Sequence, residues 1–182
     1  KTFIFEPLEM KDTGFYVPKQ KSGRLSQLYT HDENKNLIIM DDPDIKIKVG
    51  ADKPPKLLLG GAGLVSTMKD YENFCNMLLN KGKFKNKRVL SENAAKTVIT
   101  NQLPDEIKMY SNFGHGLSGI VDINSGEYNW GGAASTSFWI NPSKKQIIIC
   151  YTQLFSSPTE YAKEFKASVD NALINQKITS KK

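Results

Sequence analysis

Around residue 113 the spacing of apolar side chains changes from the three-to-four of a helix to the two of a strand. That switch constrains the fold more than any other feature of the sequence. Downstream, residues 113–123 and 127–130 read as strands joined by Asn124-Ser125-Gly126, a hairpin signal. Residues 135–140 and 146–154 flank Asn141-Pro142-Ser143-Lys144, where proline suits the second position of a type I turn. Ser157, Pro158 and Glu160 then open a helix whose apolar stripe is Tyr161, Phe165, Val169 and Leu173, with a Lys-rich tail that frays beyond Gln176. Upstream, Thr67 and Asp70 form a capping box before Tyr71, Phe74, Cys75, Leu78 and Leu79, and Gly82 ends that helix. A shorter helix starts at Ser91, carries Ala94, Ala95 and Val98, and stops before Leu103-Pro104. Residues 1–10 look like a helix end stopped by Pro7. Residues 11–56 are turn-rich, with short strand candidates at 37–40 and 45–49. There is no internal repeat. Helices followed by three or four antiparallel strands and a terminal helix make the chain α+β.

Composition removes several functional classes. With 39 % hydrophobic and 10 % aromatic residues, the 182-residue chain is not intrinsically disordered. The net charge of +6 invites a nucleic-acid partner, but Arg24 and Arg88 are the two arginines among 25 basic residues, leaving 23 lysines. Readers of phosphates and base edges favour the bidentate guanidinium, and these lysines are scattered among 19 acids. No nucleic-acid role is expected. Cys75 and Cys150 fall on apolar faces, where cysteine behaves as a small hydrophobe, and with His31 and His115 they offer no zinc spacing. Neither metal nor membrane span is expected, since no apolar run approaches the ~20 residues a membrane helix needs. The chain opens at Lys1 inside what reads as a structured segment, so a fragment of a longer protein is expected.

Four local patterns suggest chemistry. Gly61-x-Gly63 follows an apolar run, yet Ser66 stands where a dinucleotide fingerprint needs its third glycine, and a turn requiring positive φ explains both glycines. Ser66-Thr67-Met68-Lys69 has the Ser-x-x-Lys spacing that sets a lysine base beside a serine nucleophile on a helix. Helix N-cap chemistry explains Ser66 and Thr67 equally well, with Lys69 a solvated first-turn lysine. Tyr110-Ser111-Asn112 supplies a Tyr-x-Asn, and Trp130-Gly131-Gly132 stands in the place of a Lys-Thr-Gly-like triplet.

The segments IFEPLEMKDTGFYVP (4–18), GGAGLVSTMKDYENFCNMLLNKG (60–82), YNWGGAASTSFWINP (128–142) and ICYTQLF (149–155) resemble the serine β-lactamase/penicillin-binding-protein-like family, in its class C-related, esterase-like branch. The resemblance covers nearly the whole chain and implies the C-terminal part of the β-lactamase/transpeptidase fold. Residues 1–110 would be the remainder of the helical and loop lobe, and 111–182 the antiparallel strands with the C-terminal helix. In that family the acylated serine, its lysine and the catalytic tyrosine lie upstream of the first matching segment. Ser66-x-x-Lys69 and Tyr110-x-Asn112 are then coincidences of spacing. The resemblance implies an acyl-enzyme hydrolase acting on an amide, β-lactam or ester, without a cofactor. Its substrate would lie along Trp130, Gly131 and Gly132, with the Ala133 N–H as one oxyanion-hole donor. The alternative is a catalytically inactive scaffold or interaction module. Implied partners are a small-molecule or peptide substrate of the intact parent, and either a second copy or the missing N-terminal part.

Overall fold

A computed structural model of the chain describes residues 1–40, 54–104, 106–107, 112–155 and 160–179. After a 3₁₀ helix at Lys19–Arg24, β1 (Tyr29–His31) and β2 (Leu37–Ile39) form a hairpin, followed by helix α1 (Met68–Leu79). The two-residue strands β3 (Lys83–Phe84) and β4 (Lys87–Arg88) pair next, then comes α2 (Glu92–Ile99). Five strands follow in an antiparallel meander: β5 (Phe113–His115), β6 (Ile120–Asp122), β7 (Tyr128–Gly131), β8 (Ser137–Asn141) and β9 (Gln146–Cys150). Helix α3 (Glu160–Thr179) closes the chain.

The α+β class read from the sequence is borne out, with one strand boundary corrected. Residues 113–123 are two strands. The Gly116 N–H donates to Gly119 O at 2.8 Å, closing a turn inside that run, and the Leu117 N–H leaves the sheet for Val98 O. Among the described residues the sheet therefore has five strands, where three or four were expected. The strand expected at 37–40 is β2, whereas the one at 45–49 lies outside the described residues, as do Ser157 and Pro158. The terminal helix continues through Thr179, past the expected fraying point at Gln176.

Period-2 alternation gives the sheet two faces. Val121, Tyr128, Phe138 and Ile140 point one way and are buried with Cys75, Met77 and Leu78 of α1. The Tyr71 ring meets Phe138 edge-on, with centroids 5.1 Å apart. Glu127 and Gln146 point the other way, toward α3. There Lys166 Nζ lies 3.2 Å from Glu127 Oε1 and 2.8 Å from Asp170 Oδ2, and Gln146 donates to Asp170. Helix, sheet and helix thus form three layers. The stripe expected on α3 is only partly covered: Tyr161 and Val169 are half-buried, but Phe165 and Leu173 are exposed, because α3 lies along β9, the last strand of the sheet.

The capping box forms by half. Thr67 is the N-cap of α1, its hydroxyl accepting from the Asp70 N–H at 3.1 Å. The Asp70 carboxylate does not return the bond. It is buried and accepts instead from the Asp12 N–H (2.7 Å) and the Thr13 hydroxyl (2.8 Å). Beside it Gly14 and Val65 exchange both backbone hydrogen bonds, so the 12–14 segment is fastened across the start of α1.

Candidate functional site

The β7–β8 hairpin carries Trp130, Gly131, Gly132 and Ala133. Its loop is set by two bonds: the Gly132 N–H donates to Thr136 O (2.8 Å) and the Ser135 N–H donates to Gly132 O (2.9 Å). Ser135 takes the left-handed position, φ 59°, which usually goes to glycine in such three-residue connections. Its neighbours hold it there. The Ser135 hydroxyl donates to Leu154 O at 2.7 Å, and the Thr152 hydroxyl donates to Ser135 O at 2.9 Å.

Backbone direction then decides what this strand offers. Glu127 O accepts from the Asp122 N–H on the β6 side, whereas the Gly132 N–H points to β8. Peptide groups alternate along a strand, so odd-numbered residues of β7 face β6 and even-numbered ones face β8. The β6 ladder stops at the pair Ile120–Asn129. The Gly131 peptide group therefore faces no strand among the described residues; the Ala133 N–H, in the connection that follows, has no acceptor among them, and both residues are exposed. The result is a short open edge with unpaired donors and acceptors, the kind of surface on which an extended substrate can add its own hydrogen bonds.

Trp130 stands at the start of this edge, 46 % exposed, with its indole edge-to-face against the His115 ring at 5.8 Å and 76°. The resemblance implies a substrate lying along these glycines. The structure supplies a separate reason for Gly132, where a Cβ would stand 2.6 Å from Thr136 Oγ1.

The coincidental motifs separate in space. Ser66 shares a hydrogen bond with the Thr13 hydroxyl at 2.8 Å, while Lys69 is exposed and paired with Glu72 at 2.9 Å, so no serine–lysine pair forms. Ser66 also precedes the N-cap rather than being it. Tyr110 and Ser111 lie outside the described residues. Gly63 does adopt positive φ, 81°, as a turn there requires. Burial pushes the Cys75 thiol up to about 12, with Glu72 adding to the effect, and burial also raises Cys150; neither is poised as a thiolate. Among the described residues no group of three or more His, Cys, Asp or Glu could hold a metal, and no helix is long and apolar enough to cross a membrane. A cavity of about 750 Å³ lies elsewhere, lined by Phe5, Met10, Phe15, Leu58 and Val65 among others, and it includes none of residues 130–133.

His115 was visible in the sequence only as one of two histidines without zinc spacing. The signal that could have singled it out is its setting between Gly114 and Gly116.

Comparison with known proteins places this geometry in a family. The family model described as Beta-lactamase matches residues 1–172. Protein Rv1367c of Mycobacterium tuberculosis is 31 % identical over a 172-residue alignment covering 82 % of this chain and 41 % of that protein. The chain thus spans about two fifths of the length of the curated relatives it matches. Among solved structures, simvastatin synthase (LovD) from Aspergillus terreus is similar with a TM-score of 0.67 at 17 % identity, over 84 % of this chain and 43 % of that one. EstCE1, a hydrolase with promiscuous acyltransferase activity, gives 0.68 at 19 %, over 85 % and 45 %. The octameric penicillin-binding protein homologue from Pyrococcus abyssi gives 0.67 at 16 %, over 94 % and 36 %. The five-stranded sheet between helices is thus the β-lactamase/transpeptidase-like fold, and the chain belongs to the beta-lactamase family.

Proposed function

We propose that this chain is the C-terminal portion of a serine hydrolase that acts on an amide, β-lactam or ester through an acyl-enzyme. The observation that carries the reading is the open edge at Gly131 and Ala133 beside an exposed Trp130. In this reading residues 1–110 are the remainder of the helical lobe, 111–182 carry the sheet and its last helix, and the nucleophilic serine with its base precedes both. The serine attacks the substrate carbonyl, and the oxyanion that develops is held by that serine's own N–H and by the Ala133 N–H. A preorganised donor of this kind is worth ~3–4 kcal/mol in the transition state. Gly131 and Gly132 let the acyl group lie close to the backbone. Trp130 offers an aromatic surface and no charge, which favours an ester or another uncharged acyl group over a substrate that must be held by its carboxylate. EstCE1, a hydrolase with promiscuous acyltransferase activity, supports acyl chemistry on this fold. The octameric archaeal homologue supports self-association as one mode of assembly.

A fluorophosphonate probe followed by peptide mapping tests the reading. The intact protein should be labelled once, at a serine outside this sequence, and the 182-residue chain alone should remain unlabelled. Stoichiometric labelling at Ser66, lost in Ser66→Ala, overturns the assignment. An intact protein that takes no label favours the inactive scaffold.

A further inference from the structure

We propose that His115 is a positioning residue for the Trp130 indole, and that the pair sets the acyl-group preference of the edge that begins at Gly131. The proposal rests on the reading of residues 130–133 as the substrate edge. Trp130 lies beyond the point where β6 stops pairing, so no neighbouring strand fixes its side chain on that side. Among the described residues, the ring against it is that of His115, at 5.8 Å and 76°. This is an edge-to-face geometry in which one ring's edge meets the other's π-face and sets its tilt.

Three hydrogen bonds hold the histidine. Its N–H donates to Asn101 Oδ1 at 3.0 Å, and its carbonyl accepts from the Gln102 N–H at 2.8 Å. Its Nδ1 lies 2.7 Å from Gly116 O; a carbonyl can only accept, so Nδ1 carries the proton and the ring orientation is fixed. The flanking glycines are there for this approach: a Cβ at Gly114 would meet Asn101 Oδ1 at 2.1 Å, and one at Gly116 would meet Val98 O at 2.3 Å. The Gly-His-Gly segment is thus pressed against the exit of α2, and the residue in its middle is presented, already oriented, to the indole. An aromatic wall held in this way selects by apolar area. A longer, uncharged acyl chain gains contact with it, whereas an acetyl group is too short to gain as much.

The test uses the intact protein with p-nitrophenyl acetate and p-nitrophenyl butyrate. Alongside, the near-ultraviolet circular dichroism contributed by Trp130 is read as parent minus Trp130→Phe. In His115→Ala this band should collapse. KM for the butyrate should rise about twofold to tenfold, the range an edge-to-face pair supports, with the loss falling on KM rather than kcat and the acetate affected less. His115→Phe, which keeps a ring edge, should restore both readouts. A His115→Ala variant that keeps the parent's band and KM overturns the proposal, and so does a loss that His115→Phe fails to restore. A band that collapses while KM for both esters stays put overturns the assignment of residues 130–133 to the substrate edge instead, since the pairing then exists without touching substrate.

Discussion

Replacing Gly132 by alanine adds one methyl group where the hairpin has no room for it. The new Cβ would stand 2.6 Å from Thr136 Oγ1, so the hydroxyl must rotate out of its position. Overpacking of this kind costs about 1–3 kcal/mol. Gly132 is not among the residues with positive φ, so alanine can adopt its backbone conformation and regains about 0.4–1 kcal/mol by restricting the unfolded chain. The net expectation is a loss of about 1–2 kcal/mol, or roughly 3–6 °C in Tm for a domain of this size. Thr136→Ala removes the offending hydroxyl, and the Thr136 Cβ is 3.9 Å from the added atom, an ordinary contact. Calorimetric melts of the parent, the two single variants and the double variant should therefore show a favourable coupling of about 1 kcal/mol. Additive Tm shifts would refute the steric argument. A stable Gly132→Ala that loses acylation whether or not Thr136 is truncated would instead assign the glycine to substrate approach.

Lys166→Met should cost about 2 kcal/mol, read as Tm, because it leaves buried Glu127 and partly buried Asp170 without their shared cation. The hydrogen bond from Lys166 holds the Asp170 carboxyl below its ordinary value of 3.8, so its contribution is present above that pH and is lost as the pH falls through the folded-state value. The variant should accordingly show a shallower loss of Tm in acid than the parent, and parallel curves would contradict this. Asp70→Ala should cost about 2 kcal/mol in denaturant titration by leaving the Asp12 N–H without its acceptor and the Thr13 hydroxyl with Ser66 alone, with Asp70→Asn milder. The 182-residue chain alone should self-associate in sedimentation velocity, since among the described residues β9 pairs only with β8 in the sheet, and α3 exposes Phe165, Leu173 and Ile174. A monodisperse monomer with a cooperative melt would count against it.

The elements that were legible in the sequence are those whose signal is local. The apolar repeat from Tyr71 to Leu79 gives α1 directly, and the Asn141-Pro142 turn separates β8 from β9 as its chemistry requires. The turn at Gly116–Gly119 escaped notice because alternation continues across it; only the contacts of Leu117 and Gly116 with Val98 reveal why the chain reverses there. Asp70 has the sequence signature of a capping box, yet its partners are Asp12 and Thr13, dozens of residues away, which no local pattern announces. The same holds for the candidate site. The triplet at Trp130 could be picked out by resemblance, but the open edge depends on where β6 stops pairing, and the ring against Trp130 comes from β5. Conversely, Ser66-x-x-Lys69 is a motif in spacing alone, because Thr13 and Glu72 bind its two members separately.

The central claim is that the Ala133 N–H stabilises an oxyanion, and an amide-to-ester substitution of the backbone at residue 133 tests it most directly. The substitution deletes that N–H, which bonds to no acceptor among the described residues, and otherwise only weakens Gly132 O as the acceptor of the Ser135 N–H. Single-turnover acylation of the intact protein should slow by ~10²–10³, while Tm stays within a degree or so of the parent. An acylation rate within about twofold of the parent, at unchanged Tm, would show that the strand from Trp130 to Ala133 is not the edge on which the reaction takes place.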